Sequence, residues 1–142
     1  MIYIGIDPGA SGAIAAICPL GPDWIKLCET EHDVSNWLRD ISSFDCRAII
    51  EQVQPMPRAV CGNVPMFKLG CSYGFLRGLL TGYGIKYEAA RPQKWQKAMG
   101  CLTKGDKNVS KAAAQRLFPD IKITHANADA LLIAEYCRRT WV

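Results

Sequence analysis

An apolar run, Ile2-Tyr3-Ile4-Gly5-Ile6, ends in a carboxylate, Asp7, and turns at once through Pro8-Gly9. A second run, Cys46-Arg47-Ala48-Ile49-Ile50, ends the same way in Glu51. Short apolar runs bounded by turn residues read as buried strands. A carboxylate delivered to such a place is costly unless a positive side chain, a helix N-terminus or a metal ion compensates it. Asp before Pro-Gly is also a common way to begin a turn, so Asp7 by itself leaves both readings open.

The rest of the chain supplies a scaffold for these two strands. After a turn through Gly9 and Gly12, AIAAICPL reads as a second strand hairpinned onto the first, and WIKLCET as a third. Asp33 is the expected N-cap of a helix whose Val34, Trp37, Leu38 and Ile41 share one face. The strand CRAIIEQV follows, expected to be buried and parallel. Residues 54–66, with three prolines, read as a surface loop. The segment FKLGCSYGFLRGLLTGYG reads as a helix with Gly70, Gly74 and Gly78 on one stripe, where another backbone or a nucleic-acid strand can come close. IKYEAA supplies a fifth strand. Three short helices complete the chain: one begun by Pro92, one across 107–117 and one across 125–139. The order implies an α/β domain with a mixed five-stranded sheet flanked by helices, occupying residues 1–142 as one unit.

Charge is unevenly spread. Residues 1–50 carry three basic and seven acidic side chains, whereas residues 86–116 carry eight basic and two acidic. That asymmetry suggests a face turned toward a polyanion, the plainer alternative being a solvated basic surface. Trp95 and Met99 in the same stretch are equally candidates for the core. The seven cysteines include no C-x-x-C pair, so neither a zinc site nor a disulfide framework is expected. Reduced, mostly buried thiols, the lack of a basic leader before the first strand and the lack of a membrane-length apolar run all point to a cytoplasmic protein without membrane contact.

Near the C-terminus, THANADALLIAEYCRR places His125 and Asp129 four residues apart on one helix face, with Leu132 and Tyr136 continuing that face toward the sheet. Two strand-end carboxylates plus this pair make a hard, mostly oxygen donor set. Such a set suits Mg²⁺ or Mn²⁺, and two ions together can clamp the attacking and leaving oxygens of a phosphodiester. Taken singly, each residue has a plainer role: a turn residue, a salt-bridge partner, a helix-start residue and a solvated acid.

In combination, IGIDPGASGA, IIEQV, the FKLG-to-helix segment and HANADALLIAEY resemble RuvC-type Holliday junction resolvases. The resemblance implies a ribonuclease H-like fold and a metal-dependent endonuclease that resolves four-way DNA junctions by paired nicks, as a homodimer, leaving 5′-phosphates. It assigns the metal ligands to Asp7, Glu51, His125 and Asp129, two ions per site, and a basic residue near the scissile phosphate to Lys107, with Lys104 second. The four-residue spacing of His125 and Asp129 is similar to the chloroplast and phage branch; Asn127 is the substitute candidate should His125 not serve. Arg58, Lys68, Arg91, Lys94, Lys97, Lys104 and Lys111 are the expected DNA contacts. Many members carry an aromatic wedge three residues after the glutamate. Gln54 stands there instead, leaving Met56, Met66 or Phe67 to wedge. Other ribonuclease H-like nucleases, acting on flaps or RNA:DNA hybrids, are the alternative, and a phosphate-binding ATPase-like domain is a more distant one.

Overall fold

The computed structural model describes residues 1–141; residue 142, the last of the expected domain, lies outside the described residues. Five strands form one mixed sheet: β1 (Ile2–Ile6), β2 (Ala13–Cys18), β3 (Gly21–Lys26), β4 (Cys46–Glu51) and β5 (Lys86–Ala90). Their order is β3-β2-β1-β4-β5. β1 pairs antiparallel with β2 and parallel with β4, so it is central; β5 runs parallel to β4 at one edge. The helices are α1 (Glu31–Ser42), α2 (Asn63–Gly82), α3 (Pro92–Ala98), α4 (Lys107–Leu117) and α5 (His125–Thr140). Among the described residues no helix is long and apolar enough to cross a membrane.

Strand alternation divides the core in two. Ile2, Ile4 and Ile6 of β1, with Ile14, Ala48 and Ile50, pack against Val34 and Leu38 of α1 and Leu76 and Leu80 of α2. On the other face Ala13, Ala15 and Ile49 meet α5 from Ala128 to Cys137, with α3 and α4 outside it. The fit there is tight because residue 5 is glycine. A Cβ at Gly5 would collide with the backbone of α5 at Ala130 and Ala134.

Several boundaries differ from expectation. Thr30, not Asp33, caps α1: its hydroxyl accepts the Asp33 N–H, and Asp33 in turn accepts the Thr30 hydroxyl. β3 begins at Gly21 rather than near Trp24, since Pro22 lies in an edge strand, where a missing N–H is tolerated. α2 begins at Asn63 because Pro65 falls in its first turn, where backbone N–H groups lack helical partners anyway. α5 is neither short nor one-sided; it is buried almost throughout, held between the sheet and the outer helices. All seven cysteines are free, but Cys28 and Cys71 are exposed, so burial accounts for only part of the set.

Candidate active site

Parity along the strands decides where the acids point. Ile6 is paired with Ile50 across the β1–β4 ladder, so Asp7 and Glu51 are the next register pair. Both belong to the face of Gly5 and Ile49, which is the face α5 covers. Asp129 precedes Ala130, the residue whose carbonyl lies against Gly5. Tight packing at Gly5 therefore brings the third acid to the ends of the two strands.

Asp7 begins the turn expected of it. Its Oδ1 accepts the Gly9 N–H at 3.4 Å, closing the turn, while the carboxyl stays in the field of the other acids. Burial, reinforced by the charge of Asp129, raises its pKa to about 6 against the pull of the Gly9 N–H and Lys107. Burial also lifts Glu51 to about 7, with Asp7 and Asp129 adding repulsion. Its Oε2 accepts the Trp95 indole N–H at 2.8 Å, which works in the opposite direction. Asp129 is raised by burial, and the Ser110 hydroxyl, Lys107 and His125 offset part of the rise. Its Oδ1 is buried with no hydrogen-bond partner.

The five expected residues thus share one electrostatic environment: three half-buried acids, with exposed Lys107 and His125 bearing on Asp129. Lys107 opens α4 and His125 opens α5, so both stand at helix starts at the rim. Asn127, the substitute for His125, is overturned as a donor. It is fully buried and its amide is used: Oδ1 accepts the Thr124 N–H at 2.8 Å and Nδ2 donates to the Lys122 carbonyl at 3.1 Å.

The donor chemistry fits a hard divalent cation. The three acids supply oxygens, they repel one another, and one buried oxygen is unsatisfied. Among the described residues no three His, Cys, Asp or Glu side chains stand close enough to form a ready chelate. The acids are neighbours in field rather than in contact.

Of the expected DNA contacts, Arg58, Lys68, Arg91, Lys94, Lys97 and Lys104 are exposed and Lys111 is half-buried. Among the described residues none of them forms an ion pair; the pairs that exist involve Arg39, Arg47, Arg138 and Arg139. Met56 and Phe67 are exposed, Phe67 by 74%, whereas Met66 is half-buried with its sulfur accepting the Met56 N–H. A Cβ at Gly70, Gly74 or Gly78 would meet nothing within 4 Å, so the close approach expected there is not made within this chain. An apolar groove of about 730 Å³ is lined by Gly9, Ala10, Val34, Val64, Phe67 and Phe75 among others.

Two contributors escaped the sequence reading. Trp95, a core candidate by sequence, is core, yet its N–H is committed to Glu51. Ser110, buried one turn after Lys107, bears on Asp129; its i+3 spacing from Lys107 was the available signal.

No protein-family model and no curated protein matches the chain. Solved structures similar to it include two of RuvC. RuvC of T. thermophilus in complex with a Holliday junction substrate superposes with a TM-score of 0.63 at 17% identity, over 99% of this chain and 96% of that one. A Thermus thermophilus RuvC structure gives 0.62 at 15% identity with the same coverage. At such identity the likeness is one of architecture, and the chain has the ribonuclease H-like fold of these RuvC structures.

Proposed function

We propose that the chain is a divalent-metal-dependent endonuclease, one ribonuclease H-like domain over residues 1–142, that resolves four-way DNA junctions as a symmetric homodimer inside the cell. The observation that carries this reading is the shared field of Asp7, Glu51 and Asp129 at the strand ends, with an unsatisfied buried oxygen on Asp129. Its fold is similar to that of a RuvC bound to a Holliday junction substrate, which favours branched DNA as the ligand. The spacing of His125 and Asp129 sets the chain nearer the chloroplast and phage branch of such enzymes.

Asp7, Glu51 and Asp129 would hold Mg²⁺ or Mn²⁺ with His125 as a further donor, two ions that supply water activation and stabilisation of the departing 3′-oxygen. The chain's own groups do the rest. Lys107, facing the field of Asp7 and Asp129, offers a positive charge to the scissile phosphate. The unpaired cations Arg58, Lys68, Arg91, Lys94, Lys97, Lys104 and Lys111 hold the flanking backbones, so binding falls as salt rises. Phe67 and Met56, both exposed, are the side chains available for the junction wedge. The open glycine stripe of α2 offers a close face to a second copy, whose two-fold axis matches that of a junction.

The test is cleavage of a synthetic four-way junction with Mg²⁺ or Mn²⁺, run beside flap and RNA:DNA hybrid substrates, with both nick positions mapped. Paired symmetric nicks bearing 5′-phosphates are expected. Cutting of flaps or hybrids in preference to junctions would replace this reading with another ribonuclease H-like activity.

A further inference from the structure

Trp95 is fully buried in α3, in one core cluster with Ile49, Met99, Cys101 and the buried apolar residues of α5. A core position asks only for shape, which Phe or Leu supplies without a polar atom to satisfy. Tryptophan brings one donor that needs an acceptor when buried. That donor reaches Glu51 Oε2 at 2.8 Å, across 44 residues of sequence. Among the described residues Glu51 makes no other side-chain hydrogen bond. One oxygen of Glu51 is anchored and the other is free.

The identity of the donor matters. An arginine or lysine in this place would neutralise Glu51 and compete with a bound cation for its charge. An indole is neutral and donates only, so it fixes orientation while leaving the charge intact.

We propose that Trp95 is a positioning residue, whose indole N–H holds Glu51 Oε2 so that Glu51 Oε1 is preordered to bind a divalent cation. The proposal rests on the reading of Glu51 as a metal ligand. Trp95 acts through Glu51 and touches neither metal nor DNA.

The experiment is Mn²⁺ titration by calorimetry of the full chain without DNA, for wild type, Trp95→Phe, Glu51→Gln and the double variant. Trp95→Phe should weaken Mn²⁺ binding by about tenfold or more, the scale on which partners of a ligand act. The same change in the Glu51→Gln background should add nothing. A purely structural tryptophan would lower the melting temperature and leave Mn²⁺ affinity within twofold of wild type; that result overturns the inference while Glu51 stands as a ligand. If Glu51→Gln itself leaves the affinity unchanged, the ligand reading fails and this inference falls with it. Should Trp95→Phe fail to fold, the wild-type indole N–H that exchanges most slowly with solvent can be followed by NMR. It should shift during Mg²⁺ titration and stay fixed in Glu51→Gln, and a resonance unmoved in wild type overturns the inference.

Discussion

Helix α5 carries two acids in opposite circumstances, Glu135 buried and Asp129 half-buried. Glu135 is only 5% exposed and receives three hydrogen bonds, two from Arg138 at 2.7 Å each and one from Arg139 at 2.8 Å. These arginines outweigh its burial and hold its pKa below the usual glutamate value. Asp129, six residues earlier, keeps one buried oxygen unpaired and sits above the usual aspartate value. The chain therefore has the means to neutralise a buried acid on this helix and uses them at one end only. Glu135 is compensated within the protein; Asp129, with Asp7 and Glu51, is compensated only in part.

That contrast breaks most readily in cleavage. Asp129→Asn, Asp7→Asn or Glu51→Gln removes charge while keeping shape. Each should lower junction cleavage by about 10³-fold, the rate equivalent of several kcal/mol of metal-assisted stabilisation. Junction binding by gel shift should persist. Glu135→Gln should cleave within a few-fold of wild type. Equal losses at both ends of the helix would erase the distinction.

The next effect is on stability and has opposite signs at the two ends. The native pKa values of Asp7 and Glu51, about 6 and 7, lie above their ordinary values, so the native state binds protons more tightly than the unfolded chain in that range. Stability in EDTA should therefore rise as pH falls from 8 to 5, and Asp7→Asn should stabilise the metal-free protein at pH 8 by about 2 kcal/mol. Glu135 runs the other way. Its stabilising contribution is present above its ordinary value of 4.5 and is lost as pH falls through the lower native value. Because its arginines are about half exposed, Glu135→Gln should destabilise by only about 1 kcal/mol at pH 7. Thermal melts across pH, with and without EDTA, check both signs; a flat profile for the wild type would break the comparison.

The smallest effect sharpens the same contrast among cations. Arg138 and Arg139 are spent on Glu135, whereas Lys94 and Lys97 are exposed and outside every ion pair among the described residues. Lys94→Ala or Lys97→Ala should each reduce the magnitude of the log–log salt slope of DNA binding by about one, for any DNA shape. An unchanged slope would return them to solvated surface.

The strand ends were legible because an apolar run closing on an acid is a local signal, visible at Asp7 and again at Glu51. Asp129 was legible from helical periodicity. What stayed hidden depends on distant partners or on backbone geometry. Nothing in the sequence around Trp95 indicates an acceptor 44 residues earlier, and a tryptophan in an apolar setting reads as core. Thr30 and Asp33 exchange hydrogen bonds at the start of α1, so either residue type predicts a cap and only the backbone tells which one holds it. Pro22 masked the start of β3 because its tolerance there comes from lying at the edge of the sheet, a fact of topology rather than of sequence.

Gly5 sets a tolerance as well as a fit. With no side chain between β1 and α5, the separation of Asp7 from Asp129 is gauged by one backbone resting on another, the hardest spacer a protein can make. A methyl group there would act as a shim, since its carbon has no room against Ala130 and Ala134. Close-packed interiors do not absorb such a change locally, so the helix must ride outward by roughly an ångström. Misalignment of that order is enough to cost about 10²-fold in rate where reacting groups must be aligned. The hydrogen atom at position 5 is in this sense a machinist's clearance, cut to the dimension of the acid cluster that begins two residues away.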